Sequence, residues 1–122
     1  MNIDEYNNLE IEFIDYILSL VPKLGSVSVV MYQCIIFKSN NELKYNVTCE
    51  KLSELVGCTI TECKTAIDQL IEKGFILTDP IEQSNLSDNE ISIQVVKDKL
   101  NEKIIMIVDE MKKIKTVIDT NN

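Results

Sequence analysis

Four cysteines are the most chemically versatile side chains of this 122-residue chain, which contains no histidine. Thiolates at suitable spacing hold zinc or form redox-active pairs. The cysteines are Cys34, Cys49, Cys58 and Cys63, and their spacing contains no C-x-x-C pair. Because two of them fall on the inward faces of predicted helices, we interpret them as small core residues. The sequence therefore predicts no metal and no other cofactor.

The sequence also lacks the residue combinations on which most enzymes depend. Without histidine, the usual nucleophile–base pairs cannot form, and neither a glycine-rich phosphate loop nor a G-x-S-x-G motif occurs. The carboxylates are scattered over predicted helix surfaces, where solvated charge explains them. We therefore expect a protein that is not an enzyme.

Residues 48–76 carry the clearest structural signals in the chain. Thr48 is a favourable N-cap for a first helix that runs to about Val56. Gly57 then suits the left-handed conformation that commonly ends a helix. A tight turn at this glycine would lead directly into a second helix.

The second helix has its own start and stop signals. Thr59 and Glu62 form a T-x-x-E capping box, in which each side chain satisfies a backbone N–H group. Lys73 and Gly74 end the helix in the preferred order, a cation followed by glycine. Residues spaced three and four apart form its apolar stripe, namely Cys63, Ala66, Ile67, Leu70 and Ile71.

Two short helices joined by a glycine-containing turn form the helix-turn-helix motif, whose second helix can lie in the major groove of DNA. The segment LSELVGCT resembles the first helix and turn of winged helix-turn-helix proteins, and TITECKTAIDQLIEKGFI resembles their recognition helix. The resemblance implies a fold similar to that of small bacterial, phage and plasmid regulators and of the N-terminal domains of replication organisers.

The resemblance also implies which residues contact double-stranded DNA. Thr61, Lys64 and Thr65 match positions that members of the family use for base and phosphate contacts. The predicted contact set also includes Thr59 and Asp68 at the second helix, and Lys44, Lys51 and Lys73 in or beside the motif. Lysine can donate to guanine, and threonine offers a hydroxyl or methyl group. Glu62 and Asp68 depart from the pattern and would have to accept from cytosine or be shielded by lysines. The alternative is an ordinary solvated helix face.

Two further helices are predicted before the motif. Residues 4–21 have the pattern of an amphipathic helix, which we expect to pack on the C-terminal helix within the subunit or across a dimer. Pro22 and Gly25 end it, and Ser26 or Ser28 can cap the next helix. That helix contains SVVMYQCIIFK and is apolar nearly all round, so we predict that it is the central buried helix.

Three β-prone runs surround the motif. Lys44 to Val47 alternates as a short strand should. After the motif, FILTDPI and ISIQVV predict the two strands of a wing, with EQSNLSDNE as its tip. Pro80 restricts the end of the first of these strands to an edge or a bulge. Residues 74–96 contain no basic residue, although the wings of DNA-binding relatives often carry one.

The chain from 97 to 118 is predicted to form one long helix. Its apolar residues are separated alternately by four and three positions, which is the heptad spacing of a coiled-coil seam. They are Leu100, Ile104, Ile107, Met111, Ile114 and Ile118. We expect this seam to hold a two-fold symmetric homodimer, with help from the N-terminal helix.

The length predicts one domain, residues 1–122. The periodic patterns and the resemblance together imply that it is mainly α with a small β-hairpin wing. Its parts are an N-terminal helix at 4–21, a winged-helix core at 26–96 and a C-terminal helix at 97–118. No apolar run reaches the roughly 18 residues of a membrane span, and the start lacks a basic signal region. We therefore expect a soluble, cytoplasmic protein with no membrane partner.

The net charge of −8 opposes nucleic-acid binding, because Lys and Arg side chains drive phosphate contacts. Residues 1–96 hold six lysines against fifteen acidic residues, and the chain has no arginine. Two hypotheses remain. The first is a homodimeric, sequence-specific DNA-binding protein, either a transcriptional regulator or a replication, partition or conjugation accessory factor of a phage or plasmid. The second is an acidic protein-interaction or assembly module that does not bind DNA.

Overall fold

Helices dominate the computed structural model, which describes residues 3–80 and 90–121 but not the side chains of Pro80 and residues 114–121. The elements are α1 Ile3–Ser19, α2 Val21–Leu24, α3 Ser26–Lys38, β1 Lys44–Thr48, α4 Cys49–Val56, α5 Ile60–Glu72, β2 Ile76–Pro80, β3 Glu90–Val95 and α6 Glu102–Asn121. A single 3₁₀ turn at Lys97–Lys99 precedes α6. The fold is therefore mainly helical with one small sheet.

The sheet has three antiparallel strands, with β3 between β1 and β2. In its register, Lys44 lies opposite Gln94 and Thr48 lies opposite Glu90. Alternate side chains along β3 point to the two faces, and Ile93 and Val95 are buried in the core. The three predicted strands are confirmed. The predicted tip of the hairpin, residues 82–90, falls almost wholly on residues 81–89, which lie outside the described residues.

The predicted central helix is confirmed as α3, with Met31, Tyr32 and Ile35 fully buried. Its predicted serine cap is wrong, because Gly25 occupies the N-cap with φ 79° and ψ 162° and no side chain caps the helix. A positive φ of this kind costs glycine little, since it has no Cβ. The serine at position 28 lies instead within the helix, where it is buried.

The first predicted helix is shorter than expected. It ends at Ser19, and Pro22 lies in the first turn of the separate four-residue helix α2. Proline fits a first helical turn because the N–H group that it lacks has no partner there. Pro22 predicts a helix end in the sequence. In the structure it lies in the first turn of the next helix instead.

The last helix also begins later than predicted. Leu100 has φ −106° and ψ 127°, which is an extended conformation, so the helix cannot run continuously from Lys97. The backbone N–H of Ile104 donates to Oδ1 of Asn101 at 2.8 Å. Asparagine is among the best N-cap residues, and this bond lets α6 begin at Glu102.

The apolar seam of α6 is already buried in a single chain. Leu100, Ile104, Ile107 and Met111 are 4%, 5%, 1% and 7% exposed, with α1 and α3 packed against α6. This burial corrects the expectation that these four residues form the dimer seam. Heptad spacing predicts a helical partner, but it does not distinguish the chain's own α1 from a second copy. The side chains of Ile114 and Ile118 lie outside the described residues.

Two contacts show how α1 and α6 are aligned. The Tyr16 hydroxyl donates to the backbone oxygen of Lys99 at 3.0 Å, and Lys103 pairs with Glu12 at 3.2 Å. A step back along α1, from Tyr16 to Glu12, therefore corresponds to a step forward from the turn before α6 to Lys103 within it. The helices are antiparallel, and the expected packing of the N-terminal helix on the C-terminal one occurs within the subunit.

Replacement of Ile107 tests the burial of the α6 seam. Ile107→Ala should lower the free energy of unfolding by about 2 to 5 kcal/mol, because it removes a buried side chain and leaves a cavity. The neighbouring Met106 is 58% exposed, and Met106→Ala should change stability by no more than about 0.5 kcal/mol. Urea denaturation at two protein concentrations measures both values. A loss for Ile107→Ala that disappears at high concentration would instead place Ile107 in a dimer interface.

Candidate nucleic-acid interface

The first helix of the predicted motif, α4, has the expected ends. Thr48 Oγ1 accepts a hydrogen bond from the backbone N–H of Lys51 at 3.0 Å. Gly57 is left-handed, with φ 81° and ψ 36°, and its N–H donates to the backbone oxygen of Ser53 at 2.8 Å. Leu52 is fully buried and fixes the helix on the core. The predicted N-cap and glycine C-cap are both confirmed.

The second helix, α5, begins with the predicted capping box. The Thr59 N–H donates to Glu62 Oε1 at 3.0 Å, and the Glu62 N–H donates to Thr59 Oγ1 at 3.0 Å. Four members of the predicted stripe are buried, namely Cys63, Ala66, Ile67 and Leu70. Ile71 is 36% exposed and lies at the margin of the stripe. Gly74 follows the helix with a positive φ of 82°.

A polar contact that the sequence analysis missed holds α5 against α3. The Ser28 hydroxyl donates to Gln69 Oε1 at 2.7 Å, and Ser28 is only 3% exposed. A buried hydroxyl is nearly always hydrogen-bonded, because an unpaired one costs free energy. A serine within an otherwise apolar helix was therefore the available signal that a polar partner lies on a neighbouring element.

The predicted contact residues of α5 share an exposed surface. Thr59, Thr61, Lys64, Thr65 and Asp68 are all exposed, and from Thr61 onward they recur three or four positions apart. Beside them lies an open groove of about 340 Å³ between α5 and the start of α3. Thr61, Thr65 and Gln69 line one side of this groove, and residues 25–28 line the other. The sequence analysis did not anticipate the groove.

The four predicted lysines do not form one cluster. Lys44 lies opposite Gln94, and Lys73 precedes β2, which begins opposite Val95. Both therefore lie at the end of the sheet where β2 starts. Lys51 lies in α4, shortly after Thr48. Thr48 is at the other end of β1, about 13 Å from Lys44 along the strand at roughly 3.3 Å per residue. Lys44 also pairs with Glu42 at 3.7 Å, whereas Lys51 and Lys64 form no ion pair within residues 3–80 and 90–121.

One carboxylate on α5 has a structural role. Hydrogen bonds from the Thr59 backbone N–H and with the Thr59 side chain lower the pKa of Glu62 below its ordinary value. The negative charge lies at the positive end of the helix dipole, where it is favourable. Glu62 is therefore present for the capping box, and its departure from the DNA-binding pattern has a local explanation. Asp68 is exposed in the middle of α5 and has no such role.

Three cysteines lie near one another where α4 and α5 meet. Burial, with smaller contributions from neighbouring Cys49 and Cys58, raises the pKa of the Cys63 thiol to about 12. Cys63 is fully buried, whereas Cys49 and Cys58 are half-buried. A thiol of this kind is not a thiolate at neutral pH and behaves as a small apolar side chain. In the described ranges, no three His, Cys, Asp or Glu side chains are arranged to hold a metal ion.

Comparison with known proteins gives a fold relationship. No protein-family model matches the chain, and no curated protein matches it. The crystal structure of RV1404 from Mycobacterium tuberculosis is similar, with a TM-score of 0.54 and 11% sequence identity. The match covers 100% of this chain and 82% of that chain. At this identity the likeness concerns the fold alone. Within residues 3–80 and 90–121, no helix is both long and apolar enough to cross a membrane.

The capping box predicts a specific pH dependence. Because the folded pKa of Glu62 is lowered, its carboxylate should stabilise the fold fully above the unfolded value of about 4.3 and lose this effect as pH falls through the folded pKa. Wild type should therefore exceed Glu62→Gln in stability near neutral pH and converge with it in acid. Denaturant unfolding at pH values from about 3 to about 7, a range that spans the unfolded pKa of a glutamate, measures this difference in stability. In Thr59→Val, an NMR titration should find the Glu62 pKa shifted upward, and parallel stability profiles would contradict the assignment.

Proposed function

We propose that this protein binds double-stranded DNA as a homodimer, with α5 as the helix that enters the major groove. The observation that carries the proposal is the geometry of α4 and α5. Two helices joined by a tight left-handed turn present Thr61, Lys64 and Thr65 on the exposed side of the second. A sequence-specific regulator, or a phage or plasmid replication, partition or conjugation factor, would use this arrangement.

The dimensions of α5 support this proposal. Its 13 residues span about 20 Å at 1.5 Å per residue, and a major groove about 12 Å wide admits an α-helix. Recognition helices contact base edges mainly with residues near their N-terminus. Thr61, Lys64 and Thr65 lie in the first half of α5, so the polar residues are at the end that would enter the groove.

The positions of the lysines limit the electrostatic contribution. Lys51, in the first turn of α4, and Lys64 lie within the helix pair, whereas Lys44 and Lys73 lie at the end of the sheet where β2 starts. A dimer would therefore neutralise about four phosphates, two per chain, and each contributes about −0.9 to the salt slope. Most of the affinity would have to come from α5 itself.

A protein-interaction module is the second candidate function. The observation that favours it is the acidic character of the same surface, where Asp68 and Glu72 lie on α5 together with a single lysine. Like charge between these carboxylates and phosphate costs free energy. A helix-turn-helix surface of this composition can instead receive a basic partner protein.

Lys64 provides the sharpest test of base recognition. Lys64→Ala should weaken binding to the preferred site by about 1 to 3 kcal/mol, because lysine can donate to guanine. It should also reduce the difference in affinity between the preferred site and random DNA. Lys103→Ala is the matched control, since Lys103 lies on α6 and pairs with Glu12. Fluorescence anisotropy with a duplex selected from random DNA measures both. Equal affinities for the Lys64→Ala, Thr65→Ala and wild-type chains would show that α5 does not read the bases.

The salt dependence tests the phosphate contacts. We expect a slope of about −3.6 for log affinity against log salt, and Lys51→Ala in both subunits should reduce its magnitude by about 2. Lys44→Ala should leave the slope unchanged, because Lys44 lies at the far end of β1 and pairs with Glu42. If no duplex is bound even at about 50 mM salt, where screening is weak, the interaction module replaces the DNA-binding proposal.

A further inference from the structure

An exposed apolar stripe runs along α1 on the side away from the core. It consists of Ile3, Ile11, Ile14 and Leu18, which are 75%, 57%, 42% and 59% exposed. Phe13, on the inward side, is buried and meets Phe37 edge-on at 5.0 Å. Single exposed apolar side chains are ordinary, but Ile11, Ile14 and Leu18 follow one another at spacings of three and four, and such a grouping on one side of a helix is typical of a binding surface. We call these four residues the outer stripe.

The charge around the outer stripe has one sign. The helix carries five carboxylates, Asp4, Glu5, Glu10, Glu12 and Asp15, and no basic residue. Glu10 and Asp15 are adjacent in sequence to Ile11 and Ile14, so they border the stripe. Neither of them forms an ion pair with another residue of the described ranges. A complementary partner must therefore be apolar and basic.

The end of α6 has this composition. Residues 111–118 read MKKIKTVI, with three lysines and no carboxylate. Lys112 donates to the backbone oxygen of Ser39 at 2.8 Å within its own chain. Lys113 makes only an exposed pair with Glu110 at 3.6 Å, which contributes little. Lys113, together with Lys115 from its place in the sequence, would therefore supply the cations of this segment to a partner.

The alignment of the helices prevents this segment from covering the stripe of its own chain. Tyr16 meets Lys99 and Glu12 meets Lys103. Nine residues back from Glu12 along α1 is Ile3, and nine residues forward from Lys103 along α6 is residue 112. Continuation of the antiparallel packing therefore brings Ile3 beside residue 112. The backbone of α6 continues to Asn121, so its last residues extend about 13 Å beyond the described start of α1, at 1.5 Å per residue. They therefore extend past the start of α1 and do not run along its outer side.

We propose that the end of α6 from a second copy packs on the outer stripe of α1, and that the reciprocal contact forms at the same time. A two-fold axis makes the two contacts identical, which closes the dimer. Direct pairing of α1 with α1 would instead bring Glu10 and Asp15 of both copies together, which is unfavourable because like charges repel. This inference rests on the homodimer of the proposed function and replaces the α6 seam as its interface.

Two charge-reversed chains test the proposed pairing. One carries Lys113→Glu and Lys115→Glu, and the other carries Glu10→Lys and Asp15→Lys. Each alone should dimerise at least about tenfold more weakly than wild type, because like charges then meet in both contacts. Mixed together they should form a heterodimer, since an acidic segment faces a basic one at both contacts. Native mass spectrometry distinguishes the species by mass. If the Lys113→Glu, Lys115→Glu chain dimerises as tightly as wild type, α1 pairs with α1 and the inference is overturned.

Salt and an apolar variant give independent measurements. Sedimentation at micromolar concentration should find weaker dimerisation at about 500 mM than at about 50 mM salt, whereas α1–α1 pairing would strengthen as repulsion is screened. Ile11→Asn with Leu18→Asn should abolish the dimer. The control Leu77→Asn should not, because Leu77 is 59% exposed but lies on β2. A wild-type chain that is monomeric at both salt concentrations would overturn the inference and the homodimer together.

DNA binding is measured separately, so the two proposals fail differently. The Ile11→Asn, Leu18→Asn chain should still bind a half-site duplex in a manner that depends on Lys64, because α5 lies on another part of the fold. Conversely, Lys64→Ala should leave the dimer unchanged. If the chain dimerises with the expected charge response but binds no duplex, the proposed interface is supported and the proposed DNA-binding function is contradicted.

Discussion

The packing of α5 against α3 is the constraint on which the rest of the structure depends. Ala66 and Leu70 bury one side of α5, and the hydrogen bond between Ser28 and Gln69 fixes its rotation about its own axis. With one side committed to the core, the opposite side has to face solvent, and this side carries Thr61 and Lys64. The sheet and the capped turn at Gly57 then position the helix along its length, so the surface of α5 follows from the interior.

Local signals in the sequence predicted local structure accurately. The caps at Thr48, Gly57 and Thr59 depend on residues within a few positions of one another, and all three occur in the structure. The heptad spacing of α6 depends on a partner far away in sequence. A row of apolar residues is equally compatible with the chain's own α1 and with a second copy, so periodicity alone could not identify the partner.

The candidate site was predictable in its residues but not in its surroundings. Helical spacing was sufficient to place Thr61, Lys64 and Thr65 on one exposed surface. The groove beside them and the separation of Lys44 from Lys51 depend on the strand register and on how α3 approaches α5. The net charge was also an incomplete guide to the charge of the site. Glu62 serves the capping box, and the five carboxylates of α1 lie on a different helix from the candidate contact residues.

The pairing of β1 with β3 has a further consequence for how the molecule moves. These strands flank α4 and α5 in the sequence, so the ladder between them closes a chain loop that contains both helices. Neither helix can separate from the core as a terminal segment does, and opening of α5 is coupled to the rupture of contacts remote in sequence. Exchange of amide hydrogens in α5 should therefore occur together with that of the strands, as one cooperative unit.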